Sequence, residues 1–320
     1  MNTSPLNRME RARVAEEKSP HLTHKVGACL CSCSNSEYQS SCNHWPAKLN
    51  NTIDANKKLG NASTTIHAEI SALIQAQTST NMADIYITDL PCPNCAKTMA
   101  EAGISNIYID TNTHDTLLGH KMRPFFEQVS MLIFERAGLG VHEVKISKNT
   151  ITTLLEPSIR NDDIKFEKAG CKKILSPSRE VFREQIKSTH FEGGSPYAIC
   201  IAHDNEGNHY SLGARANNAM GLTQDDARHI NKVQSKYEPV LQPFNRLLAH
   251  CAYYNLRIKD GYFFASQCPT AREFVNMISY GLTHIYIDKP KQCRDKWGLI
   301  ALKQLRDNNV IKITEGALQF

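Results

Sequence analysis

No apolar run in these 320 residues approaches the ~20 residues that a membrane-spanning helix needs, so a helical membrane protein is excluded. Residues 1–18 are charged and lack the apolar stretch of a secretory leader, and a cytoplasmic protein is expected. Eleven cysteines, an odd number without a secretion signal, argue against a disulfide framework and favour metal ligands or ordinary core thiols. Neither a P-loop, nor a Rossmann glycine pattern, nor a Ser-His-Asp arrangement stands out. The first 150 residues have no net charge, with fourteen basic and fourteen acidic side chains, so the whole excess of +5 lies beyond them. That bias favours anionic ligands such as nucleotides or nucleic acid, but it falls short of the dense basic stripe of a dedicated nucleic-acid binder. With 41% apolar and 22% charged residues the chain reads as globular, and its length suggests about two domains.

Periodicity gives the elements. Residues 5–19 carry Leu6, Met9 and Ala12 on one helical face, and residues 26–33 read as a strand, followed by a second near 40–43. Ile66, Ile70, Leu73 and Ile74 mark a helix over 66–77, and 84–88 is a buried strand. Pro93 opens a helix that stops at Gly103, and 106–110 is the next strand. This alternation predicts a three-layer α/β domain with a central mixed sheet flanked by helices. The plan recurs. A shift of 178 places residues 84–110 over 262–288 without a gap, aligning Pro91 with Pro269, Met99 with Met277 and Gly103 with Gly281. The strand Ile107-Tyr108-Ile109-Asp110 repeats as Ile285-Tyr286-Ile287-Asp288, so two tandem copies are expected: 1–150 catalytic, 151–190 a junction, 191–320 a second copy.

The chemistry concentrates in the first copy. His67 opens one helix, and Cys92 and Cys95 lie at the start of another, whose N-terminus favours their thiolate forms. Three protein ligands with one position left for water is the arrangement of a catalytic zinc. Glu69, two residues beyond His67, is placed to move protons without binding the metal. Cys-x-x-Cys alone also fits a redox pair, or half of a structural zinc site completed by Cys29, Cys31, Cys33 or Cys42. Those alternatives do not account for His-x-Glu opening an apolar helix while Pro-Cys-x-x-Cys follows a buried strand.

The pattern His67-Ala68-Glu69 followed by Pro91-Cys92-Pro93-Asn94-Cys95 matches the signature of zinc deaminases. Residues 5–147 resemble the cytidine and deoxycytidylate deaminase superfamily, and Leu90-Pro91-Cys92-Pro93-Asn94-Cys95-Ala96-Lys97 is most similar to its deoxycytidylate branch. The resemblance implies the deaminase fold, one catalytic zinc on His67, Cys92 and Cys95, and Glu69 as proton shuttle. It also implies a substrate contact from Asn43; the adjoining His44 and Trp45 either line the pocket, Trp45 by stacking on the base, or pack as a loop, and Pro91 is a further candidate for substrate contact. The sequence Cys42-Asn43-His44-Trp45-Pro46 departs from the Asn-Gly usual in that branch, and Asn43 could equally cap a turn. Cys29, Cys31 and Cys33 with Cys42 or His44 offer a second, structural zinc site, or are buried as small apolar residues. His21 and His24 are expected at the surface.

In the second copy the gapless register puts Thr270 and Glu273 at the cysteine positions, and Asn245 and Leu247 at those of His67 and Glu69. A rearranged metal site from His250, Cys251 and Cys268 is the alternative to a catalytically dead domain. Since members of this superfamily associate, the resemblance implies a homo-oligomer, or a pseudo-dimer within one chain. Lys165, Lys168, Lys172, Lys173, Arg179 and Arg183 would face a phosphate-bearing partner or simply solvent. The expected substrate is a free cytosine nucleotide, dCMP or CMP. The alternative is a base within tRNA or single-stranded nucleic acid, with the second half as a binding platform.

Overall fold

The computed structural model describes residues 4–32, 38–53, 58–158, 170–189, 191, 194–230 and 237–316. Ser4 caps the first helix by accepting from the Asn7 amide, and Pro5 sits where a missing N–H is harmless. The resulting α1 (Pro5–Glu17) packs Met9 and Ala12 onto β1 (Gly27–Cys31). Contact is so close that a Cβ on Gly27 would lie 1.9 Å from the Ala12 carbonyl oxygen. The chain continues through β2 (Tyr38–Cys42), α2 (Ala47–Ile53), the small hairpin β3 (Lys58–Leu59) and β4 (Ala62–Ser63), and α3 (Ala68–Gln75). After β5 (Asp84–Ile87), α4 (Pro93–Glu101) and β6 (Asn106–Asp110) comes one irregular helical stretch. It comprises α5 (Leu117–Phe125), a π turn (Phe126–Ser130) and α6 (Met131–Arg136), and leads into β7 (Gly140–Lys145) and β8 (Thr150–Leu155).

The strands form a mixed sheet in the order β2-β1-β5-β6-β7-β8. β1 is antiparallel to β2 and β5, while β5, β6 and β7 run parallel. Side chains alternate across it: Cys29, Cys31 and Tyr86 meet α1, whereas Ala28, Leu30, Ile85 and Ile87 join the main core. Helices on both faces of this mixed sheet give the three-layer α/β architecture.

The second half consists of β9 (Gly170–Ile174), α7 (Arg179–Ser188), β10 (Tyr197–His203), β11 (His209–Arg215), β12 (Asn217–Asn218), α8 (Gln224–Ile230), β13 (Val240–Leu241) and α9 (Pro243–Tyr254). β14 (Arg257–Cys268), α10 (Ala271–Tyr280), β15 (His284–Cys293), α11 (Lys296–Asp307) and β16 (Lys312–Glu315) complete it. Its sheet, β9-β11-β10-β14-β15-β16, repeats five strands of the first in order and direction, β11-β10-β14-β15-β16 matching β2-β1-β5-β6-β7, while β9 is added beside β11 and β8 beside β7 at opposite edges. α4 starts at Pro93 and α10 at Ala271, and the glycines that end them, Gly103 and Gly281, both take left-handed φ angles of 81° and 97°. The repeat is therefore structural as well as sequential: two tandem copies of one α/β fold. Of the stretch 151–190, most of β8 belongs to the first sheet, β9 to the second, and α7 packs on β10.

The two copies share one continuous apolar core, with α3 and α4 packed against α9 and α10. Polar groups lock the seam. The Arg246 guanidinium on α9 meets the Glu101 carboxylate on α4 at 2.8 Å, both almost wholly buried. Arg257 donates to the Ile74 and Ala76 carbonyls at the end of α3, and Arg272 donates to the Thr65 carbonyl at 2.7 Å. Gln304 on α11 holds the β3–β4 hairpin through Lys58 and Gly60. Among the described residues, no helix is long and apolar enough to cross a membrane.

Candidate metal centre and its cleft

His67 and Cys92 are the N-caps of α3 and α4, both in extended backbone conformation, and neither spends its side chain on the cap. Pro93 fixes the first turn of α4 and brings Cys95 around to the same point as Cys92. The His67 Nδ1 atom lies 3.6 Å from the Cys92 Sγ and 3.3 Å from the Cys95 Sγ. All three donors fall within 4.8 Å of one another. Tetrahedral zinc, with Zn–N near 2.0 Å and Zn–S near 2.3 Å, places its N and S ligands about 3.6 Å apart. The donor set and spacing fit zinc, and two helix N-termini add positive potential that suits thiolates.

Glu69 stands in the first turn of α3, only 4% exposed, and burial pushes its carboxyl pKa up. With His67 and Cys92 it faces a cleft of about 270 Å³. Asn43, Ser63, Thr65 and Asp89 supply polar groups, while Val26, Leu90, Leu118 and Met122 supply apolar surface. Lys121, His21 and His24 add basic groups to the lining. Asp89 accepts from the Thr113 hydroxyl and the Leu90 amide, each at 2.6 Å, and burial raises its pKa.

The expected substrate residues divide. Asn43 does line the cleft, yet its carboxamide is committed to the chain that borders it. It accepts from the Ser19 hydroxyl and the Val26 amide and donates to the His24 carbonyl, so it shapes the loop carrying His21 and His24. His44, Trp45 and Pro91 are not among the lining residues. His44 pairs with Ile66 through the backbone and bonds the Cys42 carbonyl through Nδ1. The Trp45 ring packs on His21 at 4.1 Å, and the buried Pro91 accepts at its carbonyl from Ser130. His21 and His24, expected at the surface, are part-exposed and exposed respectively, and both border the cleft.

Cys29 and Cys31 lie 3.8 Å apart beneath α1, and Cys42 pairs across the sheet with Gly27 rather than with Cys29. Cys33 falls outside the described residues, as do Lys165 and Lys168. Among the described residues, His67, Cys92 and Cys95 are the only group able to hold a metal, which leaves out the His250, Cys251 and Cys268 alternative. Arg179 is tied to the Gly261 carbonyl and the Tyr286 hydroxyl and lies over the Tyr262 ring, whereas Lys172 and Lys173 are exposed on β9.

The second copy's site is filled in. The N-cap of α9 is Gln242, so Gln242 and Phe244, not Asn245 and Leu247, occupy the His67 and Glu69 positions. The gapless register fails there because α9 has 12 residues against 8 in α3, moving the helix start by one turn. Thr270 and Glu273 do replace the cysteines, as a capping box. The Glu273 carboxylate accepts from the amides of Phe244 and Thr270 and from the Thr270 hydroxyl, converging on the point where the first copy gathers its metal ligands. Ala216 stands in place of Asn43, its amide bonding Pro196 as the Asn43 amide bonds Val26. The space beside Glu273 shrinks to about 20 Å³.

Residues 4–111 match the family model of the cytidine and deoxycytidylate deaminase zinc-binding region. An uncharacterized deaminase from the luxG 3' region of Aliivibrio fischeri is 34% identical over 101 residues, covering 31% of this chain and 65% of that protein. ComE operon protein 2 of Bacillus subtilis (strain 168) is 32% identical over 87 residues, covering 26% of this chain and 40% of the relative.

Residues 4–111 are thus similar to the zinc-binding region of cytidine and deoxycytidylate deaminases.

The chain spans less than two thirds of the length of these two curated relatives. Among solved structures, the dCMP deaminase of cyanophage S-TIM5 in complex with dCMP and dUMP shares 22% identity. That alignment covers 42% of this chain and 93% of the phage protein, with a TM-score of 0.29. A bifunctional diaminohydroxyphosphoribosylaminopyrimidine deaminase and reductase from Thermotoga maritima shares 18% identity over 43% of this chain and 35% of its own, with a TM-score of 0.28. The deaminase zinc region accordingly comprises α1 through β6, and the His67, Cys92 and Cys95 cluster lies within it.

Tyr237 was not legible as a site residue. It belongs to the second copy, yet it lines the deaminase cleft of the first. Lys121 and Met122 share this history, since α5 has no motif and reaches the cleft only through folding.

We expect one zinc per chain in purified protein, and Cys95→Ser to lower that stoichiometry to near zero. Metal analysis after dialysis checks it; a variant that kept full zinc would place the metal elsewhere.

Proposed function

We propose that the chain hydrolyses the exocyclic amine of cytosine in a free nucleotide, dCMP or CMP, giving the uracil form and ammonia. The observation that carries this reading is the gathering of His67, Cys92 and Cys95 around a buried Glu69 at a cleft of nucleoside scale. The Pro-Cys-Pro-Asn-Cys-Ala-Lys segment favours the deoxycytidylate branch, and Lys121 with His21 and His24 would suit a phosphate group.

His67, Cys92 and Cys95 would hold zinc, which supplies Lewis acidity that makes water a nucleophile near neutral pH. Glu69 then does the proton work. Its carboxylate takes a proton from the attacking water and delivers it to N3 of the pyrimidine as the C4–O bond forms. It carries the second proton to the departing amine as the C4–N bond breaks, so one water is consumed and one ammonia released. The apolar walls from Leu90, Leu118 and Met122 limit bulk water around the carboxyl, consistent with its raised pKa.

The test is ammonia release by zinc-loaded protein from bases, nucleosides and nucleotides, with tRNA and single-stranded DNA in parallel and Glu69→Ala as the blank. Turnover of dCMP or CMP is the expected result. Inactivity on every small molecule, with inosine or uracil appearing in a polymer, would replace this reading by base editing.

A further inference from the structure

The second copy has lost its own site but reaches into the first. The Tyr237 ring stacks on Phe125 of α5, with centroids 4.5 Å apart and planes 24° from parallel, and it lines the cleft together with His67, Glu69 and Cys92. Burial and the nearby Cys92 raise its phenol pKa, as expected for a ring set deep in the molecule. The backbone that follows is clamped from the other copy. Lys97 on α4, 2% exposed, donates its ammonium to the carbonyls of Glu238 at 2.7 Å and Val240 at 2.9 Å. Burying an ammonium is costly, and both of these bonds go to one short main-chain segment, so its placement follows from what it holds. The clamp continues outward, because the Glu238 carboxylate accepts from Arg294 at 2.6 Å and Gln242 at 2.8 Å.

We propose that Tyr237 is a substrate-contacting residue of the active site, supplied by the inactive copy, and that Lys97 is the positioning residue that holds it in the cleft. This rests on the deaminase reading given above. An aromatic face beside a reacting base offers stacking that every base can use, and loss of such a face typically weakens binding about tenfold or more. The inactive copy is thereby retained for a wall of the working site, which explains why the Lys97 clamp crosses the seam.

The experiment compares steady-state kinetics of the wild type with Tyr237→Phe, Tyr237→Ala, Lys97→Met and the Tyr237→Ala/Lys97→Met double variant, with zinc content and thermal melts as controls. Tyr237→Ala is expected to raise KM about tenfold with zinc retained, and Tyr237→Phe to stay within about threefold of wild type. Lys97→Met is expected to raise KM likewise, and the double variant to be no worse than the worse single, since both remove one feature. A folded, zinc-loaded Tyr237→Ala with unchanged KM overturns the assignment, as does full additivity of the two changes. Tyr237→Leu substitutes for the alanine variant if that one does not fold. Should the wild type act on a base within a polymer instead, the nucleotide reading fails, and the same comparison on that polymer still decides the role of Tyr237.

Discussion

Glu69→Gln is expected to lower kcat by roughly 10²–10⁴-fold while the protein keeps its fold and its zinc. The glutamine is nearly isosteric, and the metal donors are one histidine nitrogen and two thiol sulfurs rather than the Glu69 carboxylate. What disappears is the capacity to accept a proton and return it. Because the side chain is almost fully buried, no other carboxylate takes over at the same spot; Asp89, the other acid lining the cleft, is already held by Thr113 and the Leu90 amide. KM should change far less than kcat, since the loss falls on the chemical step. Equal activity in variant and wild type, measured as ammonia release, would remove Glu69 from the mechanism. Loss of zinc along with activity would instead mark it as part of the metal site.

Arg246→Ala is expected to destabilise the folded chain by about 3–5 kcal/mol, because it leaves the Glu101 carboxylate buried without its main partner. The pair is 2.8 Å apart with side chains 2% and 0% exposed, and His250 Nε2 stands 3.7 Å from the same carboxylate oxygen. Burial drives the Glu101 pKa up and Arg246 opposes it, so removing the arginine favours protonation or unfolding. The two residues come from α9 and α4, one from each copy, so the deficit falls on the seam rather than on either sheet. Replacing both partners, as Glu101→Leu with Arg246→Met, should recover much of the loss, since no charge is then left unmatched. Equilibrium denaturation in urea reads both numbers. A change below about 1 kcal/mol for Arg246→Ala would mean that the seam does not depend on this pair.

Several parts of the molecule could be read before any coordinates. β6 was expected over 106–110 and lies at Asn106–Asp110, and α4 begins at Pro93 as its proline required. The shift of 178 carried over without adjustment because α4 and α10, and β6 and β15, start 178 residues apart and bury matching faces in the shared core. The same shift failed upstream, where helix length is less constrained: an extra turn in α9 moved Gln242 and Phe244 into the positions that the register had given to Asn245 and Leu247. His44 and Trp45 follow Asn43 in sequence but do not line the cleft: His44 pairs through its backbone with Ile66, and the Trp45 ring packs on the cleft-lining His21.

The sequence by itself determined the metal chemistry of this protein and the existence of two copies. Both are written in local spacing: Cys-x-x-Cys at a helix start, His-x-Glu at another, and a repeated strand–helix–strand unit. Only the tertiary structure decided what surrounds that chemistry. Tyr237, Lys121 and Met122 reach the cleft through the packing of distant elements, and the Lys97 clamp and the Arg246–Glu101 pair link residues more than a hundred positions apart. Such contacts depend on how whole helices meet across a shared core, and no short window of sequence carries that information.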